Sequence, residues 1–335
     1  MKHSVLLGAS LALLVACGST NPFMEVGDGT DAGGDIVSAN QLPEIVRGDV
    51  HRIIYAPGDG TITIEGIALD ESQISSIYTR NAAFDRPGYQ AYVAQDDQLD
   101  RQSIAFLRQT GNSGAVRGGV VVTGGQFNRV IAGNFVERDG NYTPPSADLV
   151  QDGSPDTGLV SYAGTYVGLT NGGPELPVTD PTIPTEIRPN QPRVVTGNVF
   201  INADFAQNRI NGAITDRTRT LASGGGDLSL PSIALIVTDI AADGTFEGSV
   251  EYSIKQAPGT PGDYSGVVDS SIGDYGGILG GPNAEGIGGA VVLKEYDGPN
   301  DALGIKGELE WGAFVLDQCG TPANTGGNCT TVDPQ

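Results

Sequence analysis

The sequence predicts an all-β protein, with a small β-rich domain followed by a C-terminal eight-stranded antiparallel up-and-down β-barrel. Three observations lead there. Short apolar stretches alternate in twos with polar residues. No long run shows the 3.6-residue period of an amphipathic helix. Glycine and proline, 50 and 20 of 335 residues, recur between the stretches without a collagen-like period. A chain of this length can bury a core in each of about two domains.

The order of elements begins with an export segment. Lys2 and His3 precede an apolar run from Val5 to Val15 that is too short to span a bilayer, so residues 1–16 read as a signal peptide. The run ends in Leu14-Val15-Ala16-Cys17, which resembles a bacterial lipobox. That resemblance implies a lipid on Cys17, the only cofactor-like group expected; the alternative is an ordinary signal peptide whose cysteine is incidental. Several acyl chains on one residue anchor a protein without a membrane-spanning helix. By the same resemblance, Gly18, where inner-membrane lipoproteins carry aspartate, implies sorting to the outer membrane, with the cell surface and the periplasmic leaflet both open. Residues 17–46 are polar, glycine-rich and aperiodic, and read as a tether.

From 47 to 138 the stretches "HRIIYA", "TITIEGIAL", "YQAYVAQ", "QSIAFLRQT", "RGGVVVTGG" and "RVIAGNFVER" read as strands of a small all-β domain, broken by turn formers such as Arg86-Pro87-Gly88. Residues 139–158 read as a linker. The alternation is cleaner from 159 to 318, the expected barrel. In "FEGSVEYSI", Phe246, Gly248, Val250, Tyr252 and Ile254 share one face and Glu247, Ser249 and Glu251 the other. In "GIKGELEWGAFVL", Trp311, Ala313 and Val315 are expected inside and Glu308 and Glu310 outside. This period of two marks antiparallel strands with one wet face. Asp243-Gly244 predicts a tight hairpin, and glycines near aromatics suit strongly curved strands. Eight or nine strands are expected here, "GDYSGVV" among them. Residues 319–335 form a tail in which Cys319 and Cys329 read as a disulfide in an exported chain, a metal site being the weaker alternative.

The residues also bound the chemistry. A net charge of −22 excludes nucleic acid as a partner. "GGILGGPNAEGIGGAVV" fails as a dinucleotide loop, because Val291 stands where the third glycine is needed and a strand follows; no glycine of the stretch precedes Lys and Ser or Thr as in a phosphate loop. After export His51 is the sole histidine and no G-x-S-x-G motif exists, so no catalytic residue is expected and the protein reads as a non-enzyme. No metal ligand set is expected either. Residues 171–193 carry six prolines between two strands, which suits either a projecting contact loop or a solvated insertion.

"DYGGILGGPNAEGIGGAVV" resembles the barrel signature of transferrin-binding protein B and related surface lipoproteins: a G-x-φ-x-G strand, a G-P-x-A-x-E turn and a G-G-φ-φ strand, carried by Gly277, Gly281-Pro282-Asn283-Ala284-Glu285 and Gly288-Gly289-Ala290-Val291. Asp204-Phe205 and Ile210 to Ile214 resemble an earlier strand pair of the same barrel. This chain has one such barrel, where transferrin-binding protein B is two-lobed. The resemblance implies capture of a protein or an iron- or haem-related ligand through barrel loops, with a structural or adhesion role as the alternative. The contact residues expected are Pro181, Pro184 and Arg188 on the proline-rich loop and Pro282, Asn283 and Glu285 at the turn. The expected partners are the membrane, through the lipid, and that ligand, with the chain a monomer.

Overall fold

The computed structural model describes residues 36–56, 60–67, 73–95, 101–111, 114–124, 130–145, 158–171, 192–220, 228–253, 270–298, 307–324 and 329. Its first unit is a meander of eight antiparallel strands paired in chain order: β1 (Ile36–Ala39), β2 (Val50–Ala56), β3 (Thr61–Ile67), β4 (Gln73–Arg80), β5 (Gln90–Ala94), β6 (Ser103–Gln109), β7 (Val116–Thr123) and β8 (Ala132–Arg138). Strands β2–β8 curl into a near-barrel, with a bridge between Gly48 and Gly133 drawing the last strand toward the first. Val50, Ile53, Tyr55, Ile62, Tyr92, Leu107 and Phe135 fill its interior.

The second unit is a closed barrel. Its strands are β9 (Leu159–Thr170), β10 (Arg193–Asp204), β11 (Arg209–Thr220), β13 (Ile233–Asp239), β14 (Thr245–Tyr252), β15 (Gly273–Gly280), β16 (Gly286–Leu293) and β17 (Glu310–Asp317), with a two-residue strand β12 (Leu228–Ser229) beside the end of β11. Each strand pairs antiparallel with the next, and β17 pairs with β9, setting Phe314 opposite Tyr166 and closing the circle. Closure leaves no unpaired sheet edge. The interior is packed with Tyr162, Tyr166, Val199, Ile214, Phe246, Val250, Tyr275, Ile287 and Phe314. Close approach explains one glycine inside: a Cβ at Gly312 would overlap the Tyr166 hydroxyl, so only glycine lets that ring lie across β17.

The two units share a face. Ala91, Ile104, Phe106, Val120 and Val122 of the near-barrel pack on Val167, Leu169 and Ala313 of the barrel wall, and Val116 and Val136 pack on Ile278, Ala290, Val292 and Val315. A Cβ at Gly288 would stand 2.6 Å from Cγ1 of both Val116 and Val136, so bare backbone sets the approach distance. The Tyr89 hydroxyl lies 3.1 Å from the Thr165 carbonyl and accepts the Val315 N–H at 3.2 Å. Strands β7 and β16 are therefore covered on both sides, which is why they read as near-continuous apolar runs.

Three expectations change here. Strand β1 and the short helix Glu44–Arg47 fall inside the segment read as tether, because Asn40 is tied to the carbonyls of Val50 and Asn134. Strand β4 was not foreseen, its sequence "QISSIYTR" being largely polar. Strand β17 is turned over: Trp311, Ala313 and Val315 lie on the outer wall under the first unit, while Glu310, Gly312, Phe314 and Leu316 face inward. Its outer face is dry, since the first unit covers it, and Glu310 is matched inside by an arginine. The expected faces of β14 hold, with Phe246, Val250 and Tyr252 inside. The candidate strand "GDYSGVV" lies outside the described residues.

Candidate functional site

The barrel's two ends are built differently. At one end, the base, strands are joined by the short segments 205–208, 240–244 and 281–285. At the other, the mouth, they are joined by 171–192, 221–227, 253–272 and 294–309. Long connections on a rigid scaffold are where binding residues concentrate.

Just inside the mouth the barrel holds charge. Arg217 on β11 donates from Nη2 to Glu310 Oε2 on β17 at 2.6 Å, and from Nη1 to the Pro231 carbonyl at 2.7 Å. The Tyr166 hydroxyl donates to Glu310 Oε1 at 2.6 Å. Both charged side chains are 0% exposed. Such a pair is tolerable in a low-dielectric interior because both Nη atoms of Arg217 and both Glu310 oxygens are hydrogen-bonded, Arg217 Nε being left unmet. Burial, reinforced by the Glu310 charge, holds the Tyr166 phenol well above its ordinary value, so it stays a donor. Arg193 and Arg219 are buried at the same end. Around them stand Tyr252, Tyr296, Asp297 and Glu308, all buried. Burial pushes the Tyr296 phenol up to about 12.

A β-bulge aims the arginines. Along β10 and β11, Thr196 faces Thr218 and Asn198 faces Thr215, so two residues of β11, Asp216 and Arg217, oppose the single Gly197. Asp216 takes a left-handed backbone with φ 53°. The extra residue reverses the inward phase: before it Ile210 and Ile214 are buried, after it Arg217 and Arg219. Sequence reading missed this site. The alternating "TDRTRT" was the available signal, but an isolated alternation of arginine and threonine reads as an exposed strand end.

The predicted contact residues do not come together. Residues 171 and 192 of the proline-rich segment are at the mouth, whereas Pro282, Asn283 and Glu285 are at the base. Cys17, Pro181, Pro184 and Arg188 lie outside the described residues. At the base turn Pro282 is exposed, and Asn283 and Ala284 adopt φ 55° and 53°. Its backbone is committed: the Thr143 N–H donates to the Gly281 carbonyl, the Ala284 N–H to the Thr143 carbonyl, and the Tyr162 hydroxyl to the Ala284 carbonyl at 2.6 Å. The turn thus fastens the segment after β8 to the barrel. Asp243 accepts from the Thr245 N–H at 3.0 Å beside Gly244 at φ 83°, forming the predicted hairpin. Cys319 and Cys329 form a disulfide with Cα atoms 5.7 Å apart. Among the described residues no three His, Cys, Asp or Glu side chains are grouped to hold a metal, and no helix is long and apolar enough to cross a membrane.

Fold and site define an all-β molecule of two units whose closed barrel roots its long connections at one end, beside a buried ion pair. No protein-family model matches the chain, and no curated protein matches it in sequence. Solved structures of transferrin-binding protein B are similar to it. Intact Ap-TbpB, with N and C lobes, matches over 82% of this chain and 60% of its own length, at 11% identity and a TM-score of 0.35. A double mutant of the Haemophilus parasuis Hp5 protein matches over 81% and 54%, at 13% identity and 0.34. The isotype 1 protein of serogroup B Neisseria meningitidis matches over 81% and 53%, at 14% identity and 0.29. The chain thus spans little more than half the length of the last two.

Proposed function

We propose that this protein is a lipid-anchored, non-catalytic binding protein of the outer envelope, held through Cys17, that captures a protein or an iron- or haem-bearing solute at the barrel mouth. The observation that carries the reading is the asymmetry of the barrel: the long connections are rooted at one end, on strand ends held by the Arg217–Glu310–Tyr166 network. A binding surface of adaptable loops on a locked floor is the arrangement that keeps contacts positioned while leaving their sequence free to vary. Pro181, Pro184 and Arg188 are the first contact candidates, since their segment is rooted there; Pro282, Asn283 and Glu285 would serve a separate contact at the base. The signal peptide and lipobox support the anchor.

The test uses the chain from residue 18 onward, immobilised and exposed in turn to iron-loaded transferrin, iron-free transferrin and haemin. Saturable binding of one probe, lost when residues 172–191 are replaced by a short glycine-serine linker while the circular dichroism is unchanged, is the expected result. No saturable binding by any probe, together with association of the chain with whole cells or cell wall, would favour the adhesion reading instead.

A further inference from the structure

We propose that the loop closed by Cys319 and Cys329 is a redox-dependent clasp on the seam where the barrel closes: with the disulfide formed, Asn324 holds the base end of β9 to β17, and reduction of the link releases it. The inference does not rest on the binding reading.

The seam is interrupted. Strands β9 and β17 pair from Thr170 and Glu310 to Tyr166 and Phe314, and pair again at the bridge between Tyr162 and Gln318. The register is the same on both sides, so residues 163–165 and 315–317 have parted without slipping. In an antiparallel ladder bonded and non-bonded pairs alternate, and here Thr165 with Val315 and Ala163 with Asp317 fall at bonded positions, in phase with the Cys319 N–H, which donates to the Ser161 carbonyl at 2.8 Å. At each of these two positions a side chain from elsewhere stands between the strands. At Thr165 and Val315 it is Tyr89 of the first unit, whose hydroxyl accepts the Val315 N–H at 3.2 Å and donates to the Thr165 carbonyl at 3.1 Å. Burial raises that phenol above its ordinary value, so it stays a hydroxyl able to do both. At Ala163 and Asp317 it is Asn324 of the tail, whose Nδ2 donates to the Ala163 carbonyl at 3.0 Å and to the Asp317 carbonyl at 2.8 Å. One amide group thus spans both strands.

The two splints differ in what holds them. Tyr89 is buried in the packed face between the units. Asn324 stands on a turn made by two backbone bonds, from the Gly320 N–H to the Asn324 carbonyl at 3.0 Å and from the Asn324 N–H to the Thr321 carbonyl at 2.9 Å, and Gly320, Pro322 and Ala323 of that turn are exposed. Exposed bonds of this kind open readily. The disulfide joins Cys319, whose Sγ lies 3.9 Å from Asn324 Nδ2, to Cys329, and so closes the stretch that carries Asn324 into a ring. Both cysteines are partly exposed, which lets a dithiol reach the bond. The exchange balances: a thiolate of the dithiol attacks one sulfur, its second thiol displaces the resulting mixed disulfide, and two electrons and two protons pass to Cys319 and Cys329 as the reductant becomes a disulfide. With the ring open the turn frays, Asn324 leaves the two carbonyls, and the seam keeps Tyr89 as its splint at the other position.

The experiment is hydrogen exchange by mass spectrometry on the full chain, oxidised and in the presence of a dithiol, following the peptide over residues 315–319. That peptide carries the Gln318 and Cys319 amides, which donate to the carbonyls of Glu285 and Ser161. Reduction is expected to speed its exchange about tenfold while the peptides of β10 to β14 are unchanged. Oxidised Asn324→Ala is expected to exchange there as the reduced unmodified chain does, with nothing further added by the dithiol. Exchange of this peptide that reduction leaves unchanged overturns the proposal. So does oxidised Asn324→Ala that exchanges like the oxidised unmodified chain, since the link would then act without the amide, and so does protection lost across the whole chain on reduction, since the effect would not be local to the seam. Should Asn324→Ala fail to fold, Asn324→Asp is the second variant; it turns a carboxylate toward two carbonyls and is expected to open the seam in the oxidised chain, an intact seam counting against the clasp.

Discussion

The two ends of the barrel solve the same problem, ending eight strands, by opposite means. At the base the backbone closes on itself and on the first unit. Thr143 is bonded to both sides of the Pro282 turn, Arg138 donates to the carbonyls of Asp243 and Leu279, and Gly111 donates to Asp317. At the mouth the strands end in long connections, and side chains rather than turns hold the rim: Arg217, Glu310 and Tyr166 tie β11, β17 and β9 together inside. The difference shows how a barrel can keep one end shaped by local turn chemistry while releasing the other from it. Charge inside the rim ties the strand ends from which the long connections leave.

That contrast can be broken at graded cost. The largest effect is expected at the mouth, where Glu310→Ala leaves Arg217 charged and buried without its carboxylate. Such losses run to about 3–5 kcal/mol, whereas replacing the pair together by Arg217→Met and Glu310→Leu should recover most of it. Urea unfolding of the two variants makes the comparison, and equal destabilisation by both would show that the pair does not act as a unit. Next comes the base, where replacing Cys319 and Cys329 by serine should cost about 2–3 kcal/mol through the entropy of the opened loop. Thermal unfolding with and without reductant should agree with the variants; a null effect would mean the tail is not part of the cooperative unit. Gly312→Ala is expected to cost about 1–3 kcal/mol by driving a methyl into the Tyr166 hydroxyl, and Tyr166→Phe in the same chain should relieve part of it. Simple additivity of the two changes would argue that ring and glycine do not contact. The smallest effect belongs to Tyr162→Phe, which leaves the Ala284 carbonyl unmet at about 1 kcal/mol. A faster exchange of the 282–285 amides without loss elsewhere would localise that change to the base.

Much of the base was legible residue by residue. Asp243-Gly244 and Pro282 to Glu285 announce turns because glycine, aspartate and proline restrict the backbone locally, whatever they pack against. Little of the mouth was. Nothing in "TDRTRT" says that Asp216 is the extra residue of a bulge, because a bulge is defined by the partner strand, and Gly197 lies far away in sequence. The missed strand β4 has the same origin: its largely polar sequence is held by pairing with β3 from Gln73 to Thr79, and Tyr78 is the side chain it is seen to send into the core.

The sequence by itself determined that this is a chain of short antiparallel strands with tight turns and a cysteine-closed tail, since period-two patterning and turn residues act over a few neighbours. Only the tertiary structure decided which face of β17 is inside. A period of two is unchanged when the faces are exchanged, so in "ELEWGAFVL" the pattern alone cannot choose between Trp311 and Glu310 for the interior. The first unit made the choice by covering Trp311, Ala313 and Val315, and Arg217 made it bearable by meeting Glu310 within.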